Sequence, residues 1–214
     1  MSCNLVEWKI ESSPIDYQEA VYFMQWKVDG ISDGLQKELV WLLEHPPLYT
    51  AGTGAKVEDL LASDLLPVYS TNRGGKYTYH GPGQRIAYVM LDLKNRNKCN
   101  VRLYVKTLGD WIINTLSHFS IKSYFNPDLI GVWVTHNGTE KKIAAFGIRI
   151  RKWITYHGVS INIYTNLSHY LGIVPCGIKK YGVTSFEQLG INISYEEFDI
   201  VLKEKFNEVF GSFN

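Results

Sequence analysis

Apolar residues recur at helical spacing between residues 17 and 31, with Tyr17, Ala20, Val21, Met24, Val28 and Ile31 on one face. Ser13-Pro14 just upstream reads as an N-cap followed by proline at the first helical position, where its missing N–H costs nothing. Glu38-Leu39-Val40-Trp41-Leu42-Leu43-Glu44 reads as a buried strand, and His45-Pro46-Pro47 forces a loop after it, because proline removes a donor and restricts its predecessor. Arg85 to Leu93 reads as a further strand. Val101, Val105, Leu108, Ile112, Leu116 and Phe119 mark a second amphipathic helix. Gly131 to Thr135 and Lys142 to Arg151 read as strands joined through the Asn137-Gly138 turn, with Ile154 to Tyr164 as a neighbour. Ser194 and Glu197 form a capping box for a last helix carrying Phe198, Val201, Leu202 and Phe206. Hairpin-like turns between close strands predict a mixed, largely antiparallel sheet flanked by helices, an α/β fold of the α+β type. Regular βαβ alternation is absent, so a doubly wound fold is not expected. The pattern has no repeat or linker, and one domain over residues 1–214 is expected.

Composition narrows the function classes. Of 214 residues, 45% are hydrophobic and 20% charged, which is ordinary globular usage. A formal net charge of +1 gives no support for a global nucleic-acid or membrane-surface role. No apolar run approaches the ~18 residues of a membrane span, and the first residues do not read as a signal peptide. Cys3, Cys99 and Cys176 are too few and too scattered for a disulfide framework. A cytoplasmic monomer with free thiols is the expectation.

Four segments can carry chemistry. Asn72 to Gln84 holds four glycines that let backbone approach a ligand closely, with Arg73 and His80 as polar contacts. It ends in neither a Walker nor a dinucleotide pattern, and a plain glycine-rich hairpin is the bland reading. Lys141-Lys142 stands at the mouth of an apolar strand, where a lysine is usually just a strand-end charge. In His157 to Ile163 the residues Gly158, Ser160 and Asn162 share one face, which leaves room for a ligand or for a closely packed neighbour. Cys176 sits between Pro175 and Gly177 in a loop context, although a lone cysteine is more often inert packing.

Taken together these segments resemble the lipoyl(octanoyl) transferase family. The matching pieces are Arg73-Gly74-Gly75 with Thr78 to Gln84, Lys142-Ile143-Ala144 with Gly147-Ile148-Arg149, His157-Gly158 with Asn162, and Pro175-Cys176-Gly177 with Gly182-Val183-Thr184-Ser185. Upstream, His45-Pro46, Thr50 and Gly52 also fit. The resemblance runs from about residue 15 to about residue 205, and four segments in this order are a specific signal. It implies a single catalytic domain of the biotin and lipoate ligase type. The reaction it implies moves octanoyl from acyl carrier protein to a lysine ε-amine of lipoyl domains. Acceptors would be the 2-oxoacid dehydrogenase complexes and the glycine cleavage H protein, and no cofactor or metal would be needed. By resemblance Cys176 is the nucleophile and Lys142 its partner. Arg73, Gly74, Gly75, Lys76, Tyr77, Thr78, Tyr79 and His80 would line the acyl site with Ala145, Phe146, Gly147, Gly158, Val159 and Ser160.

The chemistry suits those residue types. Thioester to amide is downhill, so no ATP is required. A free thiol has a pKa of about 8.5, and lowering it by ~2 units takes about 2.7 kcal/mol. One ammonium at ~4 Å supplies about 4 kcal/mol at an effective dielectric near 20. Two rivals remain at this level: an ATP-dependent lipoate or biotin ligase, which needs no cysteine, and a non-catalytic acyl-binding module. Carrier docking on a near-neutral chain calls for a local basic patch, with Arg149, Arg151, Lys152, Lys179 and Lys180 as candidates.

Overall fold

In the computed structural model the described residues are 6–174 and 181–211. The elements are, in order, β1 Glu7–Ile10, α1 Tyr17–Ser32, β2 Leu39–Leu43, β3 Leu48–Ala51, β4 Val68–Ser70, β5 Tyr77–His80, β6 Gln84–Met90, α2 Val101–His118, β7 Ser123–Phe125, β8 Val132–His136, β9 Thr139–Arg151, β10 Ile154–Asn162, β11 Gly182–Val183 and α3 Tyr195–Gly211. A large sheet runs β1-β2-β6-β10-β9-β8-β7 with β11 added beside β9, and a small sheet runs β4-β3-β5. Neighbours are antiparallel except β1 with β2, β3 with β4 and β9 with β11, which are parallel. The sheet is therefore mixed and largely antiparallel, as the turn pattern predicts.

Helices cover both faces of the large sheet. On one face Tyr104, Leu108, Trp111, Phe198, Leu202 and Phe206 of α2 and α3 pack on Val40, Leu42, Ala87, Val89, Val159 and Ile161. On the other, Ala20, Met24, Val28 and Ile31 of α1 pack on Leu39, Trp41, Leu43, Ile86, Tyr88 and Met90. A strand covered on both faces needs no polar alternation, which explains the unbroken apolar run of β2.

Asn137 and Gly138 both take positive φ, the geometry of a tight hairpin turn between β8 and β9. The capping box at α3 is reciprocal: Ser194 N donates to Glu197 Oε2 and Glu197 N to Ser194 Oγ. The cap of α1 is a correction. Asp16, not Ser13, caps the helix, with its Oδ1 accepting from Gln18 N at 2.8 Å and Glu19 N at 3.1 Å. Ile15 N is bonded to Glu44 O, so the chain is still tied to the end of β2 one residue beyond the proline. The glycine-rich stretch is also not a hairpin on itself. It contains β5, which pairs with β3, and its Gly81-Pro82-Gly83 turn carries the chain from the small sheet into β6 of the large one.

Candidate active site

A cavity of about 310 Å³ opens on the α1 face of the large sheet, beyond the part that α1 covers. That is at the low end of the ~300–1,000 Å³ typical of small-ligand pockets. Its floor includes Ile86, Tyr88, Gly158 and Ser160 on β6 and β10, with Lys142, Ala145 and Gly147 along β9. Arg73, Gly74, Gly75, Lys76, Tyr77, Thr78 and His80 border it from the glycine-rich segment and β5. Phe146, Ile148 and Val159 also border it, although they pack with the α2–α3 core.

The glycine-rich segment is braced by Arg73, which is 6% exposed. Its guanidinium donates to Thr50 O and Thr50 Oγ1 of β3, to Gly74 O and to Lys76 O. A planar fork with several donors suits this task of tying one loop to one strand. Gly74 N donates to Ile148 O, which fastens the segment over β9. At Gly147 a Cβ would stand 2.6 Å from Arg73 Cδ, so only glycine lets the arginine cross the strand there.

Lys142 owes its place to a β-bulge. Val132 pairs with Ala144 but Trp133 pairs with Lys142, leaving Ile143 as the extra residue on β9. Ile143 and Ala144 both join the α2–α3 core, while Lys142 and Ala145 both face the cavity. Without the bulge, strict alternation would put Lys142 on the core face with Ala144. The side chain is 5% exposed, its Nζ donates to Ile130 O at 3.1 Å, and it stands 4.8 Å from the centre of the Trp133 ring. Gly131 clears its path, since a Cβ there would lie 2.9 Å from Lys142 Cε.

Three buried histidines meet at the other end. His45 Nδ1 donates to Ile15 O, so its bare Nε2 accepts from the Tyr88 hydroxyl at 2.7 Å. His80 Nδ1 donates to Gln84 Oε1 at 2.7 Å. His157 takes a φ of 57° inside β10, a left-handed conformation costing a non-glycine residue on the order of 1 kcal/mol. Burial pushes the pKa of His45 down to about 4 and those of His80 and His157 to about 3. For the last two, the neighbouring Arg73 charge and the other histidines act in the same direction as burial. All three are neutral at pH 7, so His80 serves as an uncharged hydrogen-bonding group rather than an acid. Gln84 passes the link on: its Nε2 donates to Asn162 Oδ1, and Asn162 Nδ2 donates to Thr184 O.

One of the expected site residues stands apart from this group. Tyr79 does not border the cavity. Its ring packs with Tyr49 and Tyr170 in the small-sheet cluster, away from the cavity that Thr78 and His80 reach. Cys176 lies outside the described residues, as do Lys179 and Lys180. Arg149 is exposed, and Arg151 pairs with Asp29 of α1. The sequence reading did not single out Tyr17, Ile86, Tyr88 and the 128–130 turn as lining. The first three follow from alternation of β6 and the apolar face of α1 only once the pairing of those elements is known.

Comparison with known proteins bears on family and fold. A family model described as lipoyl protein ligase A/B catalytic domain matches residues 16–207. An octanoyltransferase of Ehrlichia canis (strain Jake) is 91% identical over 214 residues, covering 100% of both chains. The chain belongs to the octanoyltransferase family. It is thus an acyltransferase within the wider lipoyl ligase class. The fold is shared more broadly. A lipoate-protein ligase A bound with ATP superposes with a TM-score of 0.76 at 15% identity, over 96% of this chain and 85% of that one. A biotin protein ligase from Aquifex aeolicus gives 0.61 at 15% identity, over 98% and 72%. The expected kinship with lipoate and biotin ligase catalytic domains therefore holds at the level of fold. No helix among the described residues is long and apolar enough to cross a membrane.

Proposed function

We propose that this chain transfers an octanoyl group from an acyl carrier protein thioester to a lysine ε-amine on lipoyl domains, through an acyl-thioester on Cys176. Acceptors are the lipoyl domains of 2-oxoacid dehydrogenases and the glycine cleavage H protein. The name and near-identity of the Ehrlichia canis relative support the octanoyl group. One observation carries the covalent route. Val183, seven positions after Cys176, pairs in parallel with Lys142, and Thr184 N donates to Lys142 O. The chain leaving the Pro175-Cys176-Gly177 segment is thereby tied to the strand that holds the buried lysine.

In the first half-reaction the Cys176 thiolate attacks the donor carbonyl. The new S–C bond forms, the carrier thiolate leaves, and Lys142 supplies the proton it takes up. In the second, the acceptor amine attacks the Cys176 thioester, the amide forms, and the Cys176 thiolate leaves while Lys142, now neutral, accepts the proton from the amine. The apolar floor residues Ile86 and Ala145 suit a saturated chain, and the neutral His80 and His157 add no buried charge beside it. A reducing cytoplasm suits a thiol that must stay unoxidised. Turnover with an octanoyl thioester donor and no nucleotide tests the reading against ATP-dependent ligation. A strict requirement for ATP would overturn it.

A further inference from the structure

Lys142 is held by more than the bulge that aims it. Its cross-strand partner on β8 is Trp133, 2% exposed, whose ring centre lies 4.8 Å from Lys142 Nζ. The indole is itself fixed: its Nε1–H donates to Leu129 O at 2.9 Å. The same bond steadies the turn that presents Ile130 O to Lys142 Nζ at 3.1 Å. Asn126 Oδ1 accepts from Asp128 N and Leu129 N, so the turn is pinned from its other end too. Tyr181, the first described residue after the segment carrying Cys176, packs edge-on against Trp133 with ring centres 5.4 Å apart. One side chain therefore touches the amino group, the turn that binds it, and the chain leaving the cysteine segment.

An aromatic face attracts a cation through its quadrupole, most strongly where water is excluded. From this geometry we infer that Trp133 is a positioning residue for acyl transfer, which holds the Lys142 amino group at the cavity wall against its ring face. The inference rests on Lys142 acting as the partner of Cys176. Trp133 touches neither donor nor acceptor in this role; it acts through Lys142. An aliphatic side chain of similar bulk would fill the space and keep the fold, yet would offer the cation nothing.

The test is a graded series at residue 133 in the full chain. Site-specific replacement of Trp133 by mono-, di- and tetrafluorotryptophan keeps shape and the Nε1–H donor while draining the ring face of negative charge. The readout is the rate at which Cys176 is acylated by a small octanoyl thioester, alongside the thermal midpoint. The expected result is a stepwise fall in rate, about tenfold across the series, with an unchanged midpoint. Trp133→Phe should retain part of the rate, and Trp133→Leu should lose more than Trp133→Phe. A rate flat across the fluorinated series, or Trp133→Leu equal to Trp133→Phe, overturns the inference while leaving the catalytic reading intact. Lys142→Ala run in parallel separates the two: if it acylates at the normal rate, the catalytic reading falls and this inference with it.

Discussion

Arg73 crosses β9 over Gly147, where a Cβ would stand 2.6 Å from the arginine Cδ and 3.3 Å from its Nε. The contact couples the loop that borders the cavity to the strand that carries Lys142. Gly147→Ala should push Arg73 off Thr50 and the loop carbonyls. A loss of about 1–3 kcal/mol is expected from the overpacking, with a fall in kcat/KM of at least tenfold. Urea unfolding and steady-state kinetics check both. Unchanged kinetics in a destabilised protein would mean that the loop does not need Arg73 to hold the acyl site.

Lys142 and Lys141 are adjacent but face different surroundings. Lys142 is buried at the cavity, whereas Lys141 reaches the Gln188 side chain at 3.4 Å. Lys142→Ala should slow acylation of Cys176 by about 100-fold or more. Lys142→Arg keeps a charge but cannot accept the amine proton, so it should acylate more readily than it transfers. Lys141→Ala should cost little. Single-turnover measurement of each half-reaction checks the order, and equal losses for the two lysines would remove Lys142 from its role.

The three buried histidines make stability depend on pH. Their folded pKa values of about 3 to 4 lie below the ordinary value of 6.5, so the unfolded chain binds protons first as pH falls. Their contribution is full above about pH 6.5 and is lost progressively between there and about pH 3 to 4. Each histidine adds up to about 1.4 kcal/mol per pH unit to the slope. His157→Asn is the informative variant, since asparagine tolerates the left-handed φ that His157 adopts. Urea midpoints between pH 7.5 and 5 should fall less steeply for it than for the parent, and parallel curves would contradict the assignment.

The candidate docking charges separate along the strand. Arg151 lies nine residues from Lys142 on β9, roughly 30 Å at strand rise, and is paired with Asp29. Lys179 and Lys180 adjoin Cys176 in sequence. Reversing both to glutamate should slow reaction with the acyl carrier protein donor, most at low salt, and barely change reaction with a small octanoyl thioester. Reversing Arg151 and Lys152 should do neither. Equal losses with both donors would assign the lysines to the site itself.

Long periodic elements were legible in the sequence. The three helices, β2, β6, β9 and β10 follow from apolar spacing, and the β8–β9 turn from Asn137-Gly138. The strands β1, β3, β4, β5, β7 and β11 are two to four residues long, too short to show a period. Their pairing is decided by tertiary contact. The same limit applies to the site. Motif resemblance picked out the residues at the cavity, but it could not tell that Tyr79 points away between Thr78 and His80. Nor could it foresee the Ile143 bulge that turns Lys142 inward, because a bulge is a relation between two strands. His45, Tyr88 and His157 meet for the same reason, brought together by sheet order rather than by spacing.

The covalent intermediate is the centre of this account, and intact-mass measurement reaches it directly. Incubation with an octanoyl thioester and no acceptor should add one octanoyl group per chain, mapped to Cys176 and discharged when a lipoyl domain is added. Cys176→Ala should gain no such mass and transfer nothing. Transfer by Cys176→Ala at the parent rate, or an adduct that the acceptor does not discharge, would contradict the relay.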